Sequence, residues 1–136
     1  MTEQGNSTIS SYNILEGTSP SLQTITNSLS DDGITACWIL TSPARDYAFV
    51  ANFNSESISS LAVSSNGVLT LIASQAANLG AGSLPADMAL THDGKFLYIL
   101  SSSTGLVAEY SVNGATLTPI GTVTGLPISL QGVAAW

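Results

Sequence analysis

Basic residues, cysteine and long hydrophobic runs are scarce in this sequence of 136 residues. Lysine and arginine together number 2 against 9 aspartates and glutamates, so the formal net charge is −7. This balance argues against nucleic acid or an anionic membrane surface as a partner, because both need basic groups to neutralise them. The single cysteine cannot form an internal disulfide.

Targeting signals are also missing from the pattern. No apolar run approaches the roughly 18 residues that a membrane-spanning helix needs. The segment from Met1 to Ser11 is polar and lacks the basic start of a secretory signal. We therefore expect neither a transmembrane helix nor a signal peptide, which leaves the cytoplasm as the default compartment.

The residues that are abundant are those of a β-rich globular domain. Hydrophobic residues make up 44% of the chain, and Ser, Thr, Gly, Val and Leu are frequent. This composition excludes a disordered or fibrous protein, and the length suits one domain. Solubility is the simplest explanation of the acidic excess.

An internal repeat organises the chain. Three short apolar runs between Tyr47 and Ala73 are separated by the polar turns NFNSES and SSNG, as in an antiparallel meander. The segment from Phe96 to Gly121 repeats the pattern. A partial third copy, ISSYNILEGTSPSLQTI, lies upstream, and Tyr12, Leu61 and Tyr110 follow one another at intervals of 49 residues. A period near fifty residues with four strands per unit predicts an all-β fold built of β-propeller blades.

The repeat predicts a single partial propeller domain of about two and a half to three blades, each a four-stranded antiparallel meander. Asn66-Gly67 marks a hairpin, Pro119 indicates an outer edge strand, and the apolar second strands lack alternation because neighbouring blades cover both faces. The predicted parts are a disordered lead-in at 1–7, outer strands of a partial blade at 8–34, blades at 35–76 and 86–124, and the inner strand of a shared blade at 125–136.

Three segments also carry a family resemblance: ITACWILTSPARDYAFVANFNSESISSLAVSSNGVLTLIA, LGAGSLPADMALTHDGKFLYILSSSTGLVAEYSVNGATLTPIG and GLPISLQGVAAW. They resemble the C-terminal blades of the seven-bladed lactonase-type propellers, which are described as 6-phosphogluconolactonase-like, carboxymuconate-cyclase-like or YVTN-repeat proteins. The resemblance runs from about Ile9 to the end and depends on the YAFVAN and FLYIL strands, the HDGK turn and the closing GVAAW. It implies a propeller fold and, as one expected activity, lactone hydrolysis.

Catalytic members of that family are thought to use His, Arg and Glu side chains in the channel, so the resemblance points to His92 and Arg45 as weak catalytic candidates. Neither matches a family motif. Arg45 also stands where Gly94 lies in the second copy, which predicts a different geometry for the first turn. From the residues alone, His92 is either a general base oriented by Asp93 or part of a structural turn that Asp93 caps, and the turn is the favoured interpretation.

Propeller topology assigns the polar loop residues to two faces. Carboxylate and amide oxygens near a channel mouth suit a divalent cation or a polar ligand. Ordinary turn chemistry is the favoured alternative, because Asp and Asn initiate turns and no spacing matches a calcium loop. No metal site or cofactor is expected. The face that joins one blade to the next holds the candidate ligand-binding residues Asp31, Asp32, Asn52, Asn54, Glu56 and Asp87, and the opposite face holds Arg45, His92 and Lys95.

Three further side chains lie on or near predicted inner strands. Cys37 is either a nucleophile or a buried structural thiol, and the thiol is favoured because no histidine falls beside it in the repeat. Trp38 and Trp136 either stack a sugar or aromatic ligand or pack the inner strands, with packing the default.

The predicted blades are too few to close a ring, since propellers need at least about four. An open wedge would leave apolar blade faces in water. We therefore expect a homodimer in which the inner strand at 125–136 of one copy completes the partial blade of the other, closing a ring of about six blades. A piece of a larger propeller is the alternative.

Two functional classes follow. The first is a non-catalytic module that assembles into a ring and presents loops or a channel to a small ligand or a protein. The second is a lactone hydrolase, which follows from the family resemblance and therefore from the fold alone. The composition and spacing favour the first class, because no catalytic cluster is visible.

Overall fold

The computed structural model describes residues 1–136 and consists of three antiparallel sheets without an α-helix. The only helical turn is a 3₁₀ turn at Phe53–Ser55. The first sheet holds β1 (Thr2–Glu3), β2 (Thr8–Leu15) and β3 (Ser21–Ser30). The second holds β4 (Ala36–Thr41), β5 (Tyr47–Asn52), β6 (Ser57–Val63) and β7 (Leu69–Asn78). The third holds β8 (Pro85–Leu90), β9 (Phe96–Ser101), β10 (Leu106–Asn113) and β11 (Thr116–Val123).

The strands of each sheet pair in chain order, which is the meander that the repeat predicts. Tyr12, Leu61 and Tyr110 all lie on the next-to-last strand of their sheets, in β2, β6 and β10. Pro119 lies in β11, the outermost strand of the third sheet, where its missing N–H costs no ladder bond on the open side. The predicted fold class, a partial propeller of four-stranded blades, is confirmed.

β5 shows how the sheets form a core. Phe49 and Ala51 pack into a cluster with the third sheet, whereas Ala48 and Val50 pack into a cluster with Ile9 of the first sheet. Successive side chains of a strand point to opposite faces, so a strand covered on both faces has no polar side. Burying the Phe49 ring removes apolar surface worth about 2–3 kcal/mol from water. The sheets are therefore packed blades, as the apolar second strands predict.

The two ends of the stack differ from this arrangement. The side chains of Ile14 and Leu22 in the first sheet and of Ile120 in the third sheet are exposed, because no sheet covers the outer face of either. The structure contains no helix that is long and apolar enough to cross a membrane.

The predicted disordered lead-in is wrong for its first residues. Thr2 and Glu3 form β1, which pairs with Ile9 and Thr8 of β2. The Glu3 carboxylate accepts hydrogen bonds from the hydroxyls of Thr8, Ser10 and Ser28 at 2.5, 2.6 and 2.8 Å, and these donors lower its pKa. The polarity of the segment suggested fraying, but here polar side chains bond to each other across strands.

The C-terminal segment, residues 124–136, also departs from expectation, because it forms no strand within one chain. Leu126 N–H donates to Gly105 O at 3.0 Å and Ser129 N–H to Ser102 O at 2.7 Å, so the segment follows the loop of the third sheet. Its predicted pairing with a second copy stays a prediction.

The prediction of a different geometry for the Arg45 turn is wrong. Arg45 has φ 61° and Gly94 has φ 72°, so both turns use the left-handed conformation. In each turn this residue donates its N–H to the residue three positions earlier, Ser42 O at 2.9 Å or Thr91 O at 2.8 Å. The neighbouring strands impose the turn, and arginine adopts it at a conformational cost.

Candidate functional site

The loop between β3 and β4 covers the end of β5 with buried polar groups. Asp31 and Asn52 are both fully buried. Asp31 Oδ1 accepts the N–H of Gly33 at 3.1 Å, and Asn52 Nδ2 donates to Ser59 Oγ at 2.7 Å. Asp31 Oδ2 and Asn52 Oδ1 have no hydrogen-bond partner within the chain. A Cβ on Gly33 would lie 2.2 Å from Asn52 Cγ, so the loop rests directly on this amide.

Asn54 and Asp32 lie at the same end of the strands but are exposed. Asn54 Nδ2 donates to Thr35 Oγ1 at 2.7 Å, and Asn54 N–H donates to Ile34 O at 3.1 Å. Asp32 adopts φ 59°, and its Oδ1 accepts the Ser30 hydroxyl at 3.3 Å. Both side chains thus bond to neighbouring turns.

Glu56 joins the second sheet to the loop that leads into the third. Its Oε1 accepts the N–H of Gly82 at 2.6 Å, and its backbone adopts φ 56°. A charged acceptor makes this a stronger hydrogen bond than a neutral one. The face predicted to hold Asp31, Asp32, Asn52, Asn54 and Glu56 is therefore formed by loops that these side chains connect.

Asp87 lies inside β8, and its side chain is buried. Its Oδ1 accepts the N–H of Met88, and its Oδ2 accepts the N–H of Val133, both at 2.7 Å. This carboxylate therefore holds the C-terminal segment beside the inner strand of the third sheet. Both of its oxygens are used by backbone donors.

The opposite ends of the strands carry Arg45, His92 and Lys95. The two turns are neighbours, since a Cβ on Gly94 would lie 2.9 Å from Pro43 Cδ. Asp93 accepts the Thr91 hydroxyl at 2.7 Å and the Lys95 N–H at 3.1 Å, and it pairs with Lys95 Nζ at 3.0 Å. These donors, Thr91 first, lower the Asp93 pKa to about 2. Asp93 is thus the turn cap of the favoured interpretation, and it is bonded to Thr91 and Lys95.

The inner strands present two aromatic side chains and the thiol. Trp136 is 98% exposed and does not pack on the inner strands, whereas Trp38 is 46% exposed, so its indole is partly buried. Cys37 is half-buried, and its carbonyl accepts the Thr2 hydroxyl at 3.0 Å. The C-terminal segment and Tyr98 line a shallow cavity of about 330 Å³.

A larger groove was not predicted from the sequence. It has a volume of about 1010 Å³ and lies between the first sheet and the turns of the second. We call it the edge groove, and it is lined by Tyr12, Asn13, Gln23, Thr24, Ile25, Ala44, Arg45, Val63, Ser64, Ser65, Asn66 and Gly67. The sequence repeat contained a signal for this groove, because the partial copy lacks the second strand that the complete copies have at this position.

Comparison with solved structures places this arrangement among known folds. The chain superposes on a candidate 6-phosphogluconolactonase from Bacteroides fragilis with TM-score 0.77 and 20% identity, covering 93% of this chain and 35% of that one. A candidate 6-phosphogluconolactonase from Bacteroides uniformis superposes with TM-score 0.73 and 22% identity, covering 92% of this chain and 37% of that one. The periplasmic gluconolactonase of Pseudomonas aeruginosa superposes with TM-score 0.65 and 17% identity, covering 92% of this chain and 38% of that one. The chain therefore has the fold of part of a β-propeller, similar to the propellers of these proteins.

The chain spans little more than a third of the length of these propellers, 35–38% of each. No family model and no curated protein matches the sequence. At identities below 25% the likeness concerns the backbone, and it assigns no catalytic residue to this chain. What the chain itself offers chemically is a buried carboxylate at Asp87, an exposed indole at Trp38 and loops held by Asp31, Asn52 and Glu56.

Proposed function

We propose that the chain forms part of a closed lactonase-type ring that hydrolyses small lactones. Hydrolysis adds water across the ring ester and releases a hydroxy acid, so it needs a base for the water and donors for the oxyanion. The observation that carries the proposal is the superposition of 92–93% of this chain on propellers described as lactonases.

Within this ring the chain would supply substrate contacts. The half-exposed indole of Trp38 on inner strand β4 offers an apolar face and one N–H donor, which suits a sugar-derived ring. Asp87 would hold the neighbouring segment through Val133.

A closed ring needs a partner, and we propose a second copy of the chain. The outer faces of the first and third sheets expose Ile14, Leu22 and Ile120, surfaces that neighbouring blades cover elsewhere in the fold. The C-terminal segment would then act as an inner strand for the partner's first sheet. Light scattering after size exclusion should give twice the mass of the 13.9 kDa chain; a monodisperse monomer would contradict this arrangement.

The lactonase proposal is tested by proton release from a panel of sugar lactones, with and without a phosphate group. Trp38→Ala should lower kcat/KM about tenfold, corresponding to roughly 1.4 kcal/mol of transition-state stabilisation. Ile72→Ala is the control, because this exposed side chain lies on β7, the outermost strand of the second sheet. His92→Ala and Arg45→Ala test the two weak catalytic candidates. Hydrolysis of no lactone above the buffer rate would overturn the proposal.

The second candidate function is a ring that binds a ligand without converting it. Asp87 favours it, because both carboxylate oxygens already accept backbone N–H groups at 2.7 Å and hold structure in place. In that case a lactone or its hydroxy acid would bind saturably in calorimetry while proton release stays at the buffer rate. Hydrolysis lost in Trp38→Ala would exclude this second candidate.

A further inference from the structure

Asp31 is a buried carboxylate without a counter-charge. The residue is 0% exposed, its Oδ1 accepts the Gly33 N–H at 3.1 Å, and its Oδ2 has no partner. The chain's one ion pair joins Lys95 to Asp93, in a turn at the opposite ends of the strands. Buried charges in proteins are paired or bind metal ions, because removing an isolated charge from water is strongly destabilising. Asp31 lacks this compensation within the chain.

The Asn52 amide lies beside this carboxylate and also has an unpaired oxygen. Gly33, whose N–H bonds to Asp31, rests on this amide, since a Cβ there would lie 2.5 Å from Asn52 Oδ1. Ser59 is a second link, because its Oγ accepts from Asn52 Nδ2 at 2.7 Å and lies 3.5 Å from the backbone oxygen of Asp31. Asn52 is 0% exposed, and its Oδ1 has no partner. Two buried, unpaired oxygen acceptors thus lie in one cluster.

The equivalent place in the third sheet lacks these groups. At the 49-residue period, the counterparts of Asp31, Asn52 and Ser59 are Gly80, Ser101 and Ala108. Ser101 is also fully buried, but its hydroxyl bonds to Thr104 Oγ1 at 2.6 Å, and no buried side-chain atom there is left unpaired. A blade therefore forms this loop without a carboxylate or an amide, so the cluster is not a requirement of the fold.

The oxygens and the charge of the cluster indicate the class of ligand. Carboxylate, amide and carbonyl oxygens are the ligands that hard cations take. A buried water could supply hydrogen bonds, but it carries no charge. One carboxylate is neutralised by a monovalent ion, whereas a divalent ion would leave a buried net positive charge. The chemistry therefore fits a small monovalent metal ion.

We propose that Asp31 Oδ2 and Asn52 Oδ1 bind a sodium ion between the first and second sheets. Carbonyl oxygens of residues 31–35 or water would complete its shell. The ion would hold the loop between β3 and β4 on the end of β5 and so stabilise the packing of the two sheets. This site depends neither on lactone hydrolysis nor on a second copy, since both ligands belong to one chain.

Thermal unfolding of the full chain in sodium chloride and in tetramethylammonium chloride, at equal ionic strength, tests the proposal. An ion that binds only the folded chain stabilises it, so the Tm in sodium should be higher by about 4 °C, as for a roughly tenfold change in the unfolding equilibrium constant. In NMR, sodium should shift the Gly33 N–H and the Asn52 side-chain amide saturably. An equal Tm in the two salts, or no saturable shift at these groups, would overturn the proposal. A larger rise in calcium chloride would overturn the choice of a monovalent ion.

Asp31→Asn and Asp32→Asn form a matched pair of variants. Both remove one negative charge from the same loop, but Asp32 is exposed and its carboxylate bonds to the Ser30 hydroxyl. Asp31→Asn should melt at the same temperature in both salts, because the charge that attracts the ion is gone. Asp32→Asn should keep the full difference. A sodium effect retained in Asp31→Asn, or lost equally in both variants, would contradict the assignment.

Discussion

The second and third sheets each bond to the chain segment that follows them, but they use different residues to do so. Glu56 and Gly105 occupy equivalent places after the second strand, with φ 56° and φ 60°. Glu56 reaches the following loop with its side chain, through Gly82 N–H at 2.6 Å. Gly105 receives the following segment with its backbone, through Leu126 N–H at 3.0 Å, and a Cβ there would lie 2.0 Å from Leu126 O. The same backbone turn thus allows either a side-chain hydrogen bond to the following segment or a close approach of the two backbones.

The loops that enter the two sheets show a parallel contrast. Gly33 precedes the second sheet and rests on the buried Asn52 amide, and Gly82 occupies the equivalent place before the third sheet in open space. Gly33 is required by contact, whereas Gly82 is suited by its φ of +83°. Glycine is therefore favoured at these two equivalent positions for different physical reasons, a steric contact at Gly33 and a positive φ at Gly82. Substitutions can distinguish the two.

The largest effect is expected from Gly33→Ala. The added Cβ would lie 2.2 Å from Asn52 Cγ, and displacing this amide would break its bond to Ser59. We expect the free energy of unfolding to fall by about 3 kcal/mol, as for an overpacked core. Denaturant titration with Gly82→Ala as control should show a loss of only about 1 kcal/mol there, from backbone strain. Equal losses in the two variants would contradict the contact explanation.

Gly105→Ala should come next. A methyl group there cannot coexist with Leu126 O at its present position, and the backbone is left-handed in addition. We expect a loss of about 2 kcal/mol and release of the C-terminal segment. Hydrogen exchange at the Leu126 and Ser129 amides measures the release. Gly125→Ala, with φ +78° and no neighbour within 4 Å, should keep both amides protected; protection retained in Gly105→Ala would refute the close-approach argument.

Arg45→Gly tests the shared turn geometry with a substitution that is expected to raise the free energy of unfolding. Glycine adopts a φ of 61° without the penalty that arginine incurs, although it gains freedom in the unfolded chain. The net expectation is a gain of about 0.5 kcal/mol in the free energy of unfolding. The reverse change in the third sheet, Gly94→Ala, should destabilise, because its Cβ would also lie 2.9 Å from Pro43 Cδ. A loss of stability in Arg45→Gly would show that its side chain contributes contacts of its own.

The smallest effect concerns pH. The Asp93 pKa is lowered from 3.8 to about 2, chiefly by the Thr91 hydroxyl. Because the folded-state pKa is depressed, the stabilisation from this carboxylate is present above pH 3.8 and is lost as pH falls through about 2. NMR of the Asp93 carboxyl measures the pKa, and Thr91→Val should raise it towards 3.8. An unchanged value in that variant would assign the shift to Lys95 instead.

Much of the fold follows from local pattern. The 49-residue spacing of Tyr12, Leu61 and Tyr110 identified the third strands, and the unbroken apolar run of β5 indicated burial on both faces. The Asp93 cap was predicted from the turn sequence. These features depend on contacts between residues close in sequence or repeated at a fixed period, so they can be read without a structure.

For the candidate site, the sequence predicted only the end of the strands at which its residues lie, not their burial or their hydrogen bonds. Topology located Asp31, Asn52 and Glu56 at one end of the strands, but the complete burial of Asp31 and Asn52 was not foreseen. Asp87 looked like a loop ligand and instead holds Val133 across 46 positions of sequence. Its partner depends on how the C-terminal segment settles beside β8, which no local pattern encodes.

The sequence by itself determined strands β2 to β11, their order in each sheet and the turns between them, because apolar periodicity and turn residues act over a few positions. Only the tertiary structure decided how polar side chains are used, such as Glu56 on Gly82 or Glu3 on Ser28. It also decided where a groove lies between the first sheet and the turns of the second. Those outcomes depend on the approach of sheets whose residues are far apart in the chain, where a shift of one ångström makes or breaks a hydrogen bond.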